Sequence, residues 1–348
     1  MTRTMVTLAG ATALLVASAQ SQEPRRFTLS GELVAVYNLV GEIQVRGGGS
    51  GAVTVEVRTQ GPDASSLTIE TGLVRGRDAL RVIYPGDRIV YRGHGEGYGS
   101  TLHVREDGTW GGGEGGGRRV SIRGSGSGLE AHAVVLVTVP EGRDVAVFLG
   151  AGDVSVSDLS AKIDVDVAAA GVTVDRLRGD LNVDAGSGAV SVSGVTGEVR
   201  LDTGSGSVQV REIRGPALDL DTGSGRVSGE AITVDALRVD TGSGRLDLIG
   251  ISAPRILLDT GSGGVRLELL QDVSELTIDT GSGGVTLAVP ADIGAEIEIE
   301  TGSGGIDLDI PISATEMKRD YLRGTIGDGR GRIRIDTGSG GVRIVRAN

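Results

Sequence analysis

The chain has 348 residues with 60 Gly, no Cys, one Trp, five Tyr and two Phe, and a formal net charge of -12. Without Cys there is no disulfide framework, no thiolate metal site, no cysteine nucleophile and no lipid-modified cysteine. The acidic balance repels phosphate backbones and excludes nucleic acid as a natural partner, while 39% hydrophobic and 23% charged residues are values of a folded chain.

At the N-terminus Arg3 precedes an apolar stretch from Met5 to Val16 and then Ala17-Ser18-Ala19, the small-x-small pattern of a signal peptide spanning residues 1–19. The apolar run is shorter than the roughly 20 residues that cross a bilayer, and no later segment reaches that length. The expectation is an exported chain without a transmembrane segment, located in the periplasm, on the cell surface or in the medium.

Residues 20–147 read as a strand-rich section, because FTLSGELVAVYNLVGEIQV and AVTVEVRTQ alternate at period two. Its expected role is to start and cap a stack of strands, since a bare end exposes strand edges. A Gly-rich insertion over 92–128 holds Tyr98 and Trp110, with Tyr91 at its border. These are the candidate ligand-binding aromatics, since long loops on rigid scaffolds commonly carry binding. The competing reading is a flexible insertion with no role. His94, His103 and His132 are too scattered to name a metal site.

From 148 to 348 the chain is an array. The motif [D/E]-T-G-S-G begins at Asp202, Asp221, Asp240, Asp259, Asp279, Glu300 and Asp336, with DAGSG at Asp184, in steps of 18, 19, 19, 19, 20, 21 and 36. Degenerate frames start at Phe148 and Asp166. Each frame carries two alternating segments around a glycine turn, with aliphatic pairs such as Leu218/Leu220, Leu237/Val239 and Ile256/Leu258 in the same place. A unit this short buries its apolar side only by stacking on its neighbours. The fold class expected is all-β: a single-domain parallel β-solenoid of about ten coils with an 18–21 residue period, forming a rod of about 45 Å. The long final step contains a charged segment over 311–332, read as a capping excursion.

Alternation points the Thr of each motif inward and the Asp outward. The glycines permit positive φ and close stacking of the turns. A line of like charges one strand spacing apart must be solvated, bonded to turn amides or bridged by cations. Asp202, Asp221, Asp240, Asp259 and Asp279 are therefore candidate calcium ligands, and no other cofactor is expected. DTGS also occurs in aspartic proteases, but those need two facing loops whose Asp residues share a proton, not a column.

The DTGSGxVxV frames, the opening NLVGEIQVRGGGSGAVTVEV and the closing LRGTIGDGRGRIRIDTGSGGVRI resemble the bacterial adhesin-like family of unknown function, related to the head GIN domain proteins. The resemblance covers about residues 28–346 outside the Gly-rich insertion. It implies an exported or envelope-associated β-solenoid with no catalytic residues to carry over. The function expected is a non-enzymatic scaffold that holds a polysaccharide or another envelope component. A parallel β-helix polysaccharide lyase or hydrolase is the alternative, against which stands the lack of any aromatic residue between 184 and 310. A calcium-stabilised surface repeat protein is the third.

Overall fold

The computed structural model describes residues 23–94, 99–111 and 116–347. The signal peptide expected over 1–19 and the candidate Tyr98 lie outside the described residues. Nearly all secondary structure is strand, and most strands form one continuous sheet system joined by parallel pairing. Among the described residues no helix is long and apolar enough to cross a membrane.

Two parallel ladders build the solenoid-like body. The first holds the segments before each glycine turn and aligns Ile163, Leu181, Val199, Leu218, Leu237, Ile256 and Leu276 rung upon rung. The second holds the segments after the turn and aligns Val172, Val190, Val208, Val227, Leu246, Val265 and Val285. Both sets are buried. Each aliphatic side chain taken from water stabilises the stack by about 1.5–3 kcal/mol. None does so without the rungs on either side.

The stack begins earlier than the repeat motif does. Leu33–Gly47 pairs in parallel with Asp144–Leu159 along its whole length, Val34 on Val145 through Arg46 on Ser157. A complete turn of the body therefore lies inside the section expected to start and cap the stack. The N-terminal end is closed by antiparallel strands instead: Val53–Gln60 pairs with His132–Val139, and Arg25–Leu29 with Val53–Gln60.

At the other end, order in space departs from order in sequence. Gly331–Thr337 pairs in parallel with Glu275–Thr280 on one side and Ala295–Thr301 on the other. Val342–Arg346 sits in the same way between Val285–Val289 and Ile306–Leu308. The last motif thus inserts between the two before it. The long final step supplies the detour: Ser313–Met317 and Tyr321–Ile326 form an antiparallel hairpin, and Tyr321–Ile326 pairs antiparallel with Ala295–Thr301.

The described residues of the 92–128 segment form neither a bare loop nor a structureless insertion. Gly99–Val104 and Arg118–Arg123 pair antiparallel, and Arg88–Val90 joins them in parallel, forming a separate three-stranded sheet. Ile89, Val104, Val120 and Ile122 from this sheet are buried. A Cβ on Gly150 would come within 2.7 Å of the Leu102 side chain and 3.2 Å of that of Ile122, so the small sheet lies against the first turns of the body.

Two local devices set the corners. At the DTGSG turn the glycines are required by close approach: a Cβ on Gly225 would lie 1.8 Å from the carbonyl oxygen of Gly206, and one on Gly244 1.7 Å from that of Gly225. Positive φ, expected for these turns, is confined to the early ones, such as Gly188 and Gly206. At a second corner Asp158, Arg176, Gly194, Glu212, Ala231 and Gly250 fall on successive rungs, and all have φ between 50° and 70°. Four side-chain-bearing residues there hold a backbone conformation that glycine adopts without strain.

Candidate functional site

The candidate Asp residues are brought together. Register aligns Asp166, Asp184, Asp202, Asp221, Asp240, Asp259, Asp279, Asp336 and Glu300 in one outward column. Burial and the flanking carboxylates Asp240 and Asp202 raise the pKa of Asp221, and burial with Asp240 and Asp279 does the same for Asp259. The column is a line, not a cage. Among the described residues no group of three or more His, Cys, Asp or Glu side chains is arranged to hold a metal ion, whereas calcium takes six to eight oxygens.

The Thr of each motif points inward, as alternation dictates. Thr203, Thr222, Thr241, Thr260, Thr280, Thr301 and Thr337 are all buried. Their hydroxyls serve mainly their own turns: the Gly244, Gly263 and Gly283 amides donate to the Oγ1 of Thr241, Thr260 and Thr280 at 3.0, 2.9 and 2.8 Å. Thr203 donates to Thr222 at 2.9 Å, a direct hydroxyl contact between rungs.

The acidic column ends against aromatics. Phe148 is the rung neighbour of Asp166, and Tyr37 that of Phe148. The Tyr37 and Phe148 rings stack with centroids 4.2 Å apart, and Trp110 meets Phe148 edge-on at 6.1 Å. Trp110 is 4% exposed, so this candidate aromatic packs against the body and offers no open ring face. Tyr91 is half-buried against the core, 5.4 Å from the His132 ring. The two candidates therefore have separate neighbours. Beside Trp110, Gly111 lies so close to Asp166 that a Cβ would approach its Oδ2 to 2.6 Å. Burial, and secondly the Asp184 carboxylate, raise the pKa of Asp166 to about 6.

The outer face of the first ladder also carries a groove of about 380 Å³. Its floor is Ala217 and Ala236, neighbours in register, and its flanks include Arg200, Arg238, Arg255 and the exposed Leu257. Arg200 pairs with Glu198, and Arg238 with Asp240 at 3.4 Å. Alternation identifies the Arg200, Asp219, Arg238 and Leu257 column as outward, but the depression depends on the next column. There two consecutive frames carry Ala where the following two carry Arg255 and Glu275. The signal in the sequence is GPALDL and VDALRV, small residues at an outward position.

No curated protein matches the chain. A solved structure of a "putative cell adhesion protein" from Clostridium sporogenes aligns with 94% of this chain and 100% of that one, at 10% sequence identity and a TM-score of 0.23. The model of the Toastrack DUF4097 family matches residues 94–345, which include Gly99–Val104 and Arg118–Arg123 of the small sheet and every DTGSG turn. The chain belongs to the Toastrack DUF4097 family.

Proposed function

We propose that the chain is an exported, non-enzymatic, adhesin-like scaffold that holds an envelope or extracellular polysaccharide along an outer face of its stacked strands. The observation that carries this reading is the register. Outward side chains recur once per strand spacing on every rung, and ion pairs between rungs tie them down: Arg211 with Glu230 at 3.1 Å and Arg343 with Asp307 at 3.3 Å. A rigid lattice of polar groups suits a polymer that repeats its own groups, because each further contact is made at high effective concentration. The N-terminal signal pattern supports export.

A second reading, glycosidic cleavage, has one observation in its favour. Asp166, with its raised pKa, lies one rung from Asp184, and unequal carboxylates are what acid-base cleavage uses. One experiment separates the readings: incubate the chain from Gln20 onward with immobilised envelope and extracellular polysaccharides, then measure retained protein and new reducing or unsaturated ends. Retention without new ends is the expected result. New ends would establish cleavage, and neither retention nor new ends would overturn the polysaccharide reading altogether.

A further inference from the structure

The groove floored by Ala217 and Ala236 has features that neither the repeat nor the ion pairs between rungs explain. We propose that it is a subsite for a uronate-containing saccharide; this rests on the polysaccharide reading above and names the chemistry recognised.

The shape comes from side-chain length. Adjacent rungs stand about 4.8 Å apart, so two successive alanines leave a depression about 10 Å long in a face otherwise covered by long polar side chains. Leu257, 42% exposed, extends the apolar surface at the same level. An apolar floor ringed by polar groups matches a pyranose, which has a face of C–H bonds and a rim of hydroxyls.

The charges specify the acid. Arg238 and Arg255 belong to adjacent rungs and both line the groove. The Arg238 guanidinium is shared with Asp240, whereas Arg255 makes no ion pair among the described residues. A planar guanidinium with free N–H groups binds a carboxylate through two parallel hydrogen bonds. Asp219 and Glu275, also on the lining, accept from sugar hydroxyls. A neutral sugar would accept no charge-assisted hydrogen bond from Arg255, whose in-register neighbour Glu275 makes no ion pair with it.

The test titrates the chain from Gln20 onward with an oligogalacturonate and with the neutral oligogalactan of equal length, following binding by calorimetry. The acidic oligomer is expected to bind, and the neutral one at least about tenfold more weakly, the loss of a charge-assisted contact. Arg255→Gln should weaken uronate binding about tenfold. Ala236→Phe, which fills a half-exposed depression without touching the core, should abolish it. Arg26→Gln, in the antiparallel strands that close the N-terminal end, should leave it unchanged, and thermal melts confirm that all three variants fold. Equal binding of both oligomers would overturn the uronate assignment. Uronate binding that survives both groove variants would overturn the site while leaving the polysaccharide reading intact. Failure to bind the uronate, in a protein retained by some other polysaccharide, would overturn this inference alone.

Discussion

Asp279 pairs in register with Asp336, and Glu300, the next motif along the chain, is one rung further out. Insertion of the last motif is favoured because the hairpin over Ser313–Met317 and Tyr321–Ile326 then covers the edge of Ala295–Thr301. An open edge of that kind invites pairing with other chains. The arrangement is directly testable in a chain without native Cys. Asp279→Cys with Asp336→Cys places the Cα atoms about one strand spacing apart, within disulfide range, whereas Asp279→Cys with Glu300→Cys places them about 9.6 Å apart. Mild oxidation should close the first pair and leave the second reduced, as read by thiol labelling and mass spectrometry. The reverse pattern would restore stacking in sequence order.

The glycine columns should differ sharply in tolerance. Gly263 approaches the carbonyl oxygen of Gly244 so closely that a Cβ would lie 1.7 Å from it, whereas Gly305 has nothing within 4 Å of that position. Gly263→Ala must push two rungs apart and should destabilise by about 3 kcal/mol or more. Gly305→Ala should stay within about 0.5 kcal/mol of the parent. Chemical denaturation of both variants measures the contrast, and equal effects would show that stacking does not select glycine here.

At the left-handed corner the usual sign of an alanine-to-glycine change should reverse. Ala231 holds φ 56° and Glu212 φ 54°, on rungs flanked by glycines at the same position. The left-handed conformation disfavours a side-chain-bearing residue by about 1–2 kcal/mol, and glycine in a strand forfeits about 0.5–1 kcal/mol in entropy. Ala231→Gly should therefore stabilise by up to about 1 kcal/mol. Ala253→Gly, at a buried position with no such strain, should destabilise. A loss of stability in Ala231→Gly would refute the strain account.

How far the fold was legible follows from what sets each feature. Period-two alternation and the near-constant frame were enough for the inward columns, the outward Asp line and the inward Thr, because stacking forces identical environments on identical positions. The same column continues from Thr203 to Ala185, Val167, Leu149 and Asn38, which share no motif. Asn38 is accommodated by bonds from its amide to the Val40 and Ala133 carbonyl oxygens and by the Tyr84 hydroxyl. Nothing in a repeat search reveals such a solution, so alternation shows that this section starts and caps the stack but not which of its strands forms the first turn. The inserted last motif was hidden for the opposite reason. Its residues fit both neighbours in equal register, so sequence alone does not choose between them. The packed role of Trp110 was obscured by its Gly-rich surroundings, since its partner Phe148 lies in another segment.

The acidic column gives the fold an unusual dependence on pH. The pKa of Asp166 stands at about 6, raised from the ordinary aspartate value of 3.8 by burial and then by Asp184. The folded chain therefore holds a proton that the unfolded chain has released between those values, and stability rises as pH falls through this window. Asp221 and Asp259, raised by burial and then by neighbouring carboxylates, act in the same direction. Asp158, whose carboxylate accepts hydrogen bonds from Arg176, is shifted down, so its contribution is lost only as pH falls through its lowered folded value. The melting temperature should accordingly be higher at pH 5 than at pH 7, and fall again in stronger acid. Asp166→Asn removes the largest contributor. It should stabilise the chain at pH 7 by about 1 kcal/mol, allowing for solvent screening of a partly exposed group, and should reduce the rise toward pH 5. Thermal melts of the parent and the variant from pH 4.5 to 7.5 measure both effects. A parent melt that declines steadily from pH 7 to pH 5, or a variant with an undiminished slope, would remove Asp166 as the cause.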